Sequence, residues 1–303
     1  MSRYTRRQVL AGAALAAAAP AGPAKKPTLC LFSKHLPGLS YPELAKALQQ
    51  MGFPGVDLTV RPGGHVLPEN AERDLPRAHE ALASEGVSVP MITTGLLSNA
   101  DPAARPTLYT AAKLGIPFFK LGYYRYKNLA NMVEERRAAK PQIDSLAALA
   151  GHAKIQGGFH NHSGAYIGSS VWDSWNLLED VATNAIGFYF DPCHATIEGG
   201  KAGWELSFYR VAPRLNMVAC KDFYWEKSKG KWDARMCPLG QGMVNYPKFF
   251  DMLAGTGFAG PLSLHVEYEI DGPTEAARQE KTLEAVERDY AYLKQEYARA
   301  FGA

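Results

Sequence analysis

From Pro27 onward, short apolar runs alternate with longer segments in which apolar residues recur at helical spacing. Eight runs read as strands: residues 28–32, 56–60, 87–93, 118–121, 157–160, 186–190, 215–220 and 262–266. Their apolar residues are nearly continuous rather than alternating, as in parallel strands covered on both faces. The intervening segments carry helix signals. Ser40 and Glu43 have capping-box spacing, Gly52 and Gly115 are terminators, and Asp101-Pro102 opens the third helix. Most runs begin about 30 residues apart, the length of one βα unit, and eight such units predict a (β/α)8 TIM barrel. The barrel should occupy residues 25–303 as a single domain, with the stripe Leu283, Val286, Tyr290, Leu293 and Tyr297 on its last helix. The competing arrangement is a doubly wound open sheet, but neither a G-x-G-x-x-G after the first run nor a phosphate loop is present. The intervals after the fourth and seventh runs are the longest. Extra length at the C-terminal end of a barrel strand goes to the functional face, so residues 223–245 are expected to form a lid or rim loop.

Composition narrows the class without changing the fold. A chain of 303 residues, 47% hydrophobic and 11% aromatic, has ample core and is neither disordered nor collagen-like. Cys30, Cys193, Cys220 and Cys237 lack metal-finger or redox spacing and read as free buried thiols. The formal charge is +3, and Arg3, Arg6 and Arg7 account for all of it. The remainder is formally neutral with interleaved signs, which gives no reason to expect a nucleic-acid partner. Thr5-Arg6-Arg7-Gln8-Val9-Leu10 is a twin-arginine pattern, followed by an Ala-rich apolar run and small residues. That run has roughly ten to twelve residues where a span needs about 20. Residues 1–24 are therefore expected to be a Tat signal peptide. The protein would then be exported to the periplasm or beyond, with no membrane association after signal removal.

Chemistry-bearing residues collect at the ends of the runs. Arg61 and His65 follow the second, His160-Asn161-His162 close the fifth, and Asp191-Pro192-Cys193-His194 follow the sixth. Lys221-Asp222 follow the seventh, and His265 and Glu267 come at the eighth. In a barrel these positions converge on one mouth. A His, Asp and Glu cluster without thiolates suits one divalent ion, Mn, Mg, Co or Zn. Such an ion polarises a sugar carbonyl while a carboxylate or imidazole moves the neighbouring proton, and a lysine or histidine steadies the oxyanion. His35, His79 and His152 read instead as hydrogen-bonded structural histidines.

These residues resemble those of the sugar phosphate isomerase/epimerase group with the xylose-isomerase-like barrel, over about residues 28–295. The carriers are Gly55-Val56-Asp57-Leu58-Thr59-Val60-Arg61-Pro62-Gly63-Gly64-His65, Phe159-His160-Asn161-His162 and Phe190-Asp191-Pro192-Cys193-His194. Val218-Ala219-Cys220-Lys221-Asp222-Phe223, Leu239-Gly240-Gln241-Gly242 and Val266-Glu267 complete them. The resemblance implies one divalent metal held by a Glu, an Asp, a His and a Glu on strands five to eight. Asp191 and Glu267 match; His160 stands in place of the first Glu, and Ala219 in place of the histidine. It follows that His160, or in its place His162, joins Asp191 and Glu267 as the expected metal ligands, and that Glu267, His160 and Lys221 are the expected catalytic groups. Arg61, His65, His162, His194 and Trp225 are expected to contact substrate, with Tyr123, Tyr124, Tyr126, Tyr224 and Trp232 as further stacking candidates.

Export argues for an unphosphorylated sugar or glycoside as partner. The leading expectation is a metal-assisted isomerase or epimerase acting by proton abstraction next to a carbonyl. A lyase or deglycosylase on a keto-glycoside and a non-catalytic exported carbohydrate binder are the alternatives, and pairing with a second copy remains open.

Overall fold

The computed structural model describes residues 26–302, so the expected signal peptide lies outside the described residues. Eight parallel strands close a barrel: β1 (Thr28–Phe32), β2 (Gly55–Val60), β3 (Ser88–Thr94), β4 (Phe118–Lys120), β5 (Gln156–His160), β6 (Ile186–Phe190), β7 (Leu215–Cys220) and β10 (Pro261–Leu264). β1 pairs with both β2 and β10, which closes the barrel. Around the barrel run α1 (Tyr41–Met51), α2 (Ala71–Ser84), α3 (Ala104–Lys113), α4 (Met132–Ala153), α5 (Val171–Leu178), α6 (Pro192–Val211), α7 (Tyr246–Ala254) and α8 (Glu275–Phe301). No helix among the described residues is long and apolar enough to cross a membrane.

The expected local signals act where the sequence puts them. Glu43 accepts from both the backbone N–H and the hydroxyl of Ser40, and Gly52 ends α1 in the left-handed region at φ 76°. On α8, Val286, Tyr290 and Leu293 are buried; Tyr290 Oη donates to Gly52 O and Tyr297 Oη to Pro27 O, tying the last helix to the start of the barrel. All four cysteines are free and buried.

The segment after β7 is a correction. Where residues 223–245 were expected to be a loop, β8 (Asp222–Ser228) and β9 (Lys231–Cys237) form an antiparallel hairpin. Its turn residues, Lys229 and Gly230, both have positive φ, 49° and 79°, the signature of a two-residue turn that matches strand twist. A Lys-Gly pair between two mixed apolar and polar runs was the available signal. The base of the hairpin is held by Asp222, whose carboxylate accepts backbone N–H bonds from Phe223, Gly240, Gly242 and Val244 at 2.9–3.1 Å. Gly242 is required there, because a Cβ would meet Asp222 Oδ1 at 2.2 Å.

Inside the barrel, inward side chains stack in layers. Gly158 leaves room for Met217 and Tyr189, and a Cβ there would meet Met217 Cε at 2.0 Å. Tyr189 crosses the interior to bond His265 Nε2 at 2.9 Å and Asp57 Oδ2 at 3.3 Å. Asp57 also accepts from Thr93 and Ser263 hydroxyls. Burial is the main influence on it and, against those hydrogen bonds, raises its pKa to about 6.

Two outcomes follow. Asp222→Ala leaves four buried or half-buried donors unpaired and should cost about 2–4 kcal/mol in chemical denaturation, with the hairpin amides losing hydrogen-exchange protection. Asp57 has a folded pKa above its unfolded value. The stability this contributes is complete below pH about 4 and lost as pH rises through about 6, some ~3 kcal/mol relative to Asp57→Asn. Denaturant titrations of both proteins across that window check this.

Candidate active site

At the C-terminal end of the barrel, strand ends deliver the polar residues to one mouth, the face where barrel loops carry function. Two local devices aim Asp191. Asn161, just after β5, donates to Asp191 O at 2.9 Å and accepts from Asp191 N at 2.8 Å, which locks the ends of β5 and β6 together. Asp191 is also the N-cap of α6: its Oδ1 accepts from His194 N at 3.1 Å. The other oxygen, Oδ2, faces the mouth, 3.3 Å from His160 Nε2, 3.4 Å from Lys221 Nζ and 3.8 Å from His194 Nε2. A helix-capping role and a site role thus share one carboxylate.

Lys221, 3% exposed, donates to Glu267 Oε2 at 2.6 Å. Glu267 Oε1 accepts from Lys34 at 3.0 Å, so both of its oxygens are held by ammonium groups. Burial disfavours the charged forms of Lys221 and Glu267, but their mutual attraction prevails. Asp191 and Glu267 hold the Lys221 pKa above its usual value, and Lys221 holds the Glu267 carboxyl well below the carboxylate range.

The imidazoles nearby are neutral. Burial, then Lys120 and Lys221, push His160 well below its usual pKa. Because Asp191 only accepts, His160 carries its proton on Nε2, and Nδ1 accepts from Tyr123 Oη at 2.9 Å. Both ring nitrogens are therefore engaged. His162 donates from Nδ1 to the carbonyl of Ser163 at 2.9 Å, which leaves its Nε2 lone pair free. Its ring lies 3.9 Å from that of His194, which bonds Ser163 Oγ through Nδ1 at 2.9 Å and has a buried Nε2 with no partner. Burial, followed by Lys221, lowers the pKa of both.

The residues present do not fit a divalent ion. Of the expected ligands, His160 has no free nitrogen, Glu267 has both oxygens on lysines, and Asp191 spends one oxygen as a cap. Ala219 packs in an apolar interior layer with Met91, Tyr189 and Met217. Among the described residues no group of three His, Cys, Asp or Glu side chains is arranged to hold a metal. The Lys221 ammonium stands between the two carboxylates that would have bound one.

The structure thus assembles His160, Asp191, Lys221 and Glu267, with His162 and His194 beside them. Two expected substrate contacts fall elsewhere. His65 has both nitrogens in the scaffold: Nε2 donates to Leu36 O at 3.1 Å and Nδ1 meets Thr59 Oγ1 at 3.2 Å. Trp225 faces a recess against Trp204 and Lys248, on the far side of β8 from Glu267. Its neighbour Tyr224 instead lines a cavity of about 800 Å3 with Glu267, Tyr268 and Arg288. His35 is structural as expected, its Nε2 accepting from Val266 N at 3.0 Å. Lys120 was missed. It ends β4 inside the mouth, 3% exposed, with its Nζ 3.2 Å from the centroid of the Tyr123 ring. A lone charge within the apolar run Phe118-Phe119-Lys120-Leu121 was the signal.

A closed (β/α)8 barrel with a polar cluster at its C-terminal mouth is a TIM barrel. The profile of the xylose isomerase-like TIM barrel family matches residues 39–289, and the chain belongs to that family. Among solved structures it resembles a xylose isomerase domain protein from Planctomyces limnophilus (18% identity, 92% of this chain and 100% of that one, TM-score 0.64). It also resembles an L-ribulose 3-epimerase (16%, 90% and 95%, TM-score 0.67). A third is a xylose isomerase-like barrel from Mycobacterium smegmatis in complex with magnesium (16%, 86% and 97%, TM-score 0.60). At these identities the likeness is one of fold. No curated protein matches the sequence.

Calorimetric titration of Mn2+ into the full chain is expected to show no stoichiometric site, and dialysis against EDTA to leave the thermal midpoint unchanged. One tightly bound ion per chain, with a midpoint that falls on its removal, would reverse this reading.

Proposed function

We propose that the protein is an isomerase or epimerase of an unphosphorylated, carbonyl-bearing sugar that moves a proton on the carbon beside the carbonyl. The observation that carries this is a buried ammonium held between two carboxylates, next to two neutral imidazoles with free Nε2 atoms. Membership of the xylose isomerase-like family and the shared fold with a sugar epimerase support it.

Chemically, Lys221 donates a hydrogen bond to the substrate carbonyl oxygen and stabilises the negative charge that develops there as the neighbouring C–H bond breaks. His162 Nε2 takes the proton. Its Nδ1–H bond to Ser163 O fixes the ring and supports the imidazolium that forms. Return of that proton by the His162 imidazolium to the former carbonyl carbon, with the hydroxyl proton passing to the former carbonyl oxygen, gives isomerisation; epimerisation needs a proton donor on the opposite face of the carbon, a place His194 does not fill because its ring lies 3.9 Å from that of His162. Glu267 does not serve as base here, because Lys221 and Lys34 hold it ionised and occupied; it positions Lys221. The twin-arginine pattern at Arg6-Arg7 supports action outside the cytoplasm, where unphosphorylated sugars are the available class.

Incubation with a panel of ketoses and aldoses in deuterated water should place deuterium in an intact sugar, read by NMR. Release of a leaving group instead would support the lyase alternative and overturn this one. His162→Gln and Lys221→Met should each lower kcat by about 10²–10³-fold. His162 must be neutral to accept the proton and its pKa is lowered, so the acid limb of kcat/KM should lie below pH 6.5.

A further inference from the structure

The charges in the mouth are segregated. Around Glu267 and Asp191, the cations are paired: Lys221 after β7 meets both carboxylates, and Lys34, just after β1, meets Glu267. On the side built by β2 and β4 the cations have none. Arg61 and Lys120 have no carboxylate within 4.0 Å and no side-chain hydrogen bond among the described residues, and Arg61 Nε is buried without a partner. The Arg61 guanidinium carbon lies 5.7 Å from the Phe32 ring, and Lys120 rests on the Tyr123 ring, so aromatic faces position both groups without using their N–H donors. The nearest interior carboxylate, Asp57, is already occupied by Thr93, Ser263 and Tyr189 hydroxyls.

We propose that Arg61 and Lys120 form a subsite for a compact oxyanion, a carboxylate or phosphoryl group, carried by the substrate at the end opposite the Lys221 cluster. A buried lysine is normally paired, and one left unpaired beside a half-buried arginine whose Nε has no partner makes a recognition surface for a ligand that brings the anion. The guanidinium fork suits either group with two parallel hydrogen bonds, and the lysine adds a point charge. Burial and then Arg61 hold the Lys120 pKa well below its usual value, and an anion seated between the two side chains would favour its charged form. The substrate would then lie across the mouth, its anion on the β2–β4 wall and its reacting carbons between Lys221 and the His162–His194 pair. The proposal rests on reading the mouth as the substrate site but not on isomerisation, so anion binding can stand even if no sugar exchanges deuterium.

The test titrates the full-length protein with glycolate and, separately, with inorganic phosphate, against chloride at matched ionic strength. Binding is followed by the Arg61 Nε–H resonance and by calorimetry. Saturable binding is expected, at least tenfold weaker in Arg61→Met and in Lys120→Met. Tighter glycolate binding identifies a carboxylated sugar; tighter phosphate binding identifies a phosphorylated one and retires the unphosphorylated assignment while leaving the subsite in place. Lys120→Met should also raise the thermal midpoint, since it replaces an unpaired buried cation with an apolar side chain of similar length, and that rise shows the variant is folded. Absence of saturable binding, or binding unchanged in both variants, would overturn the proposal.

Discussion

The mouth of this barrel is organised around one buried ammonium. Lys221 leaves β7 pointing inward, where water cannot solvate its charge, and two carboxylates from neighbouring strand ends compensate for that loss. Each carboxylate is held by something else: Asp191 by Asn161 and the start of α6, Glu267 by Lys34. Lys221 is the cation both carboxylates share, so its removal is felt by Asp191 and Glu267 together. Burial is what chiefly keeps His160, His162 and His194 neutral, and Lys221 adds to it by opposing a second positive charge beside it.

Below this cluster the polar interior acts as a support. Tyr189 reaches across the space left by Gly158 to link Asp57 with His265, the Phe32 ring stacks on His265, and Tyr123 ties the β4 side to His160. A site held this way needs little reorganisation when charge develops on a substrate oxygen, which is the condition under which a fixed ammonium is effective. The Lys221 ammonium occupies the space between Asp191 and Glu267 that a cation would otherwise take.

Much of the fold was legible because its causes are local. Period, capping and terminators depend on residues a few positions apart, and the eight strands appear within two residues of where the apolar runs put them. The β8–β9 hairpin was the exception: its runs are short and mixed, and its Lys-Gly turn looks like an ordinary loop until the two strands are paired. Among site residues, convergence of His160, Asp191, Lys221 and Glu267 was readable from their positions at strand ends. The surroundings of His65 and Trp225 were not legible in the same way. Whether a strand-end side chain faces substrate or scaffold depends on partners such as Leu36 O and Trp204, which no local pattern specifies.

By itself, then, the sequence determined the barrel, its length and the mouth on which the ionisable residues meet, because period and strand parity are properties of neighbouring residues. Only the tertiary structure decided what those residues do to one another. That Lys221 fills the space between Asp191 and Glu267, that His160 has no nitrogen to spare, and that Arg61 and Lys120 have no carboxylate partner among the described residues are facts about distances between residues far apart in the chain. The charge state and the ligand preference of a buried group follow from those distances.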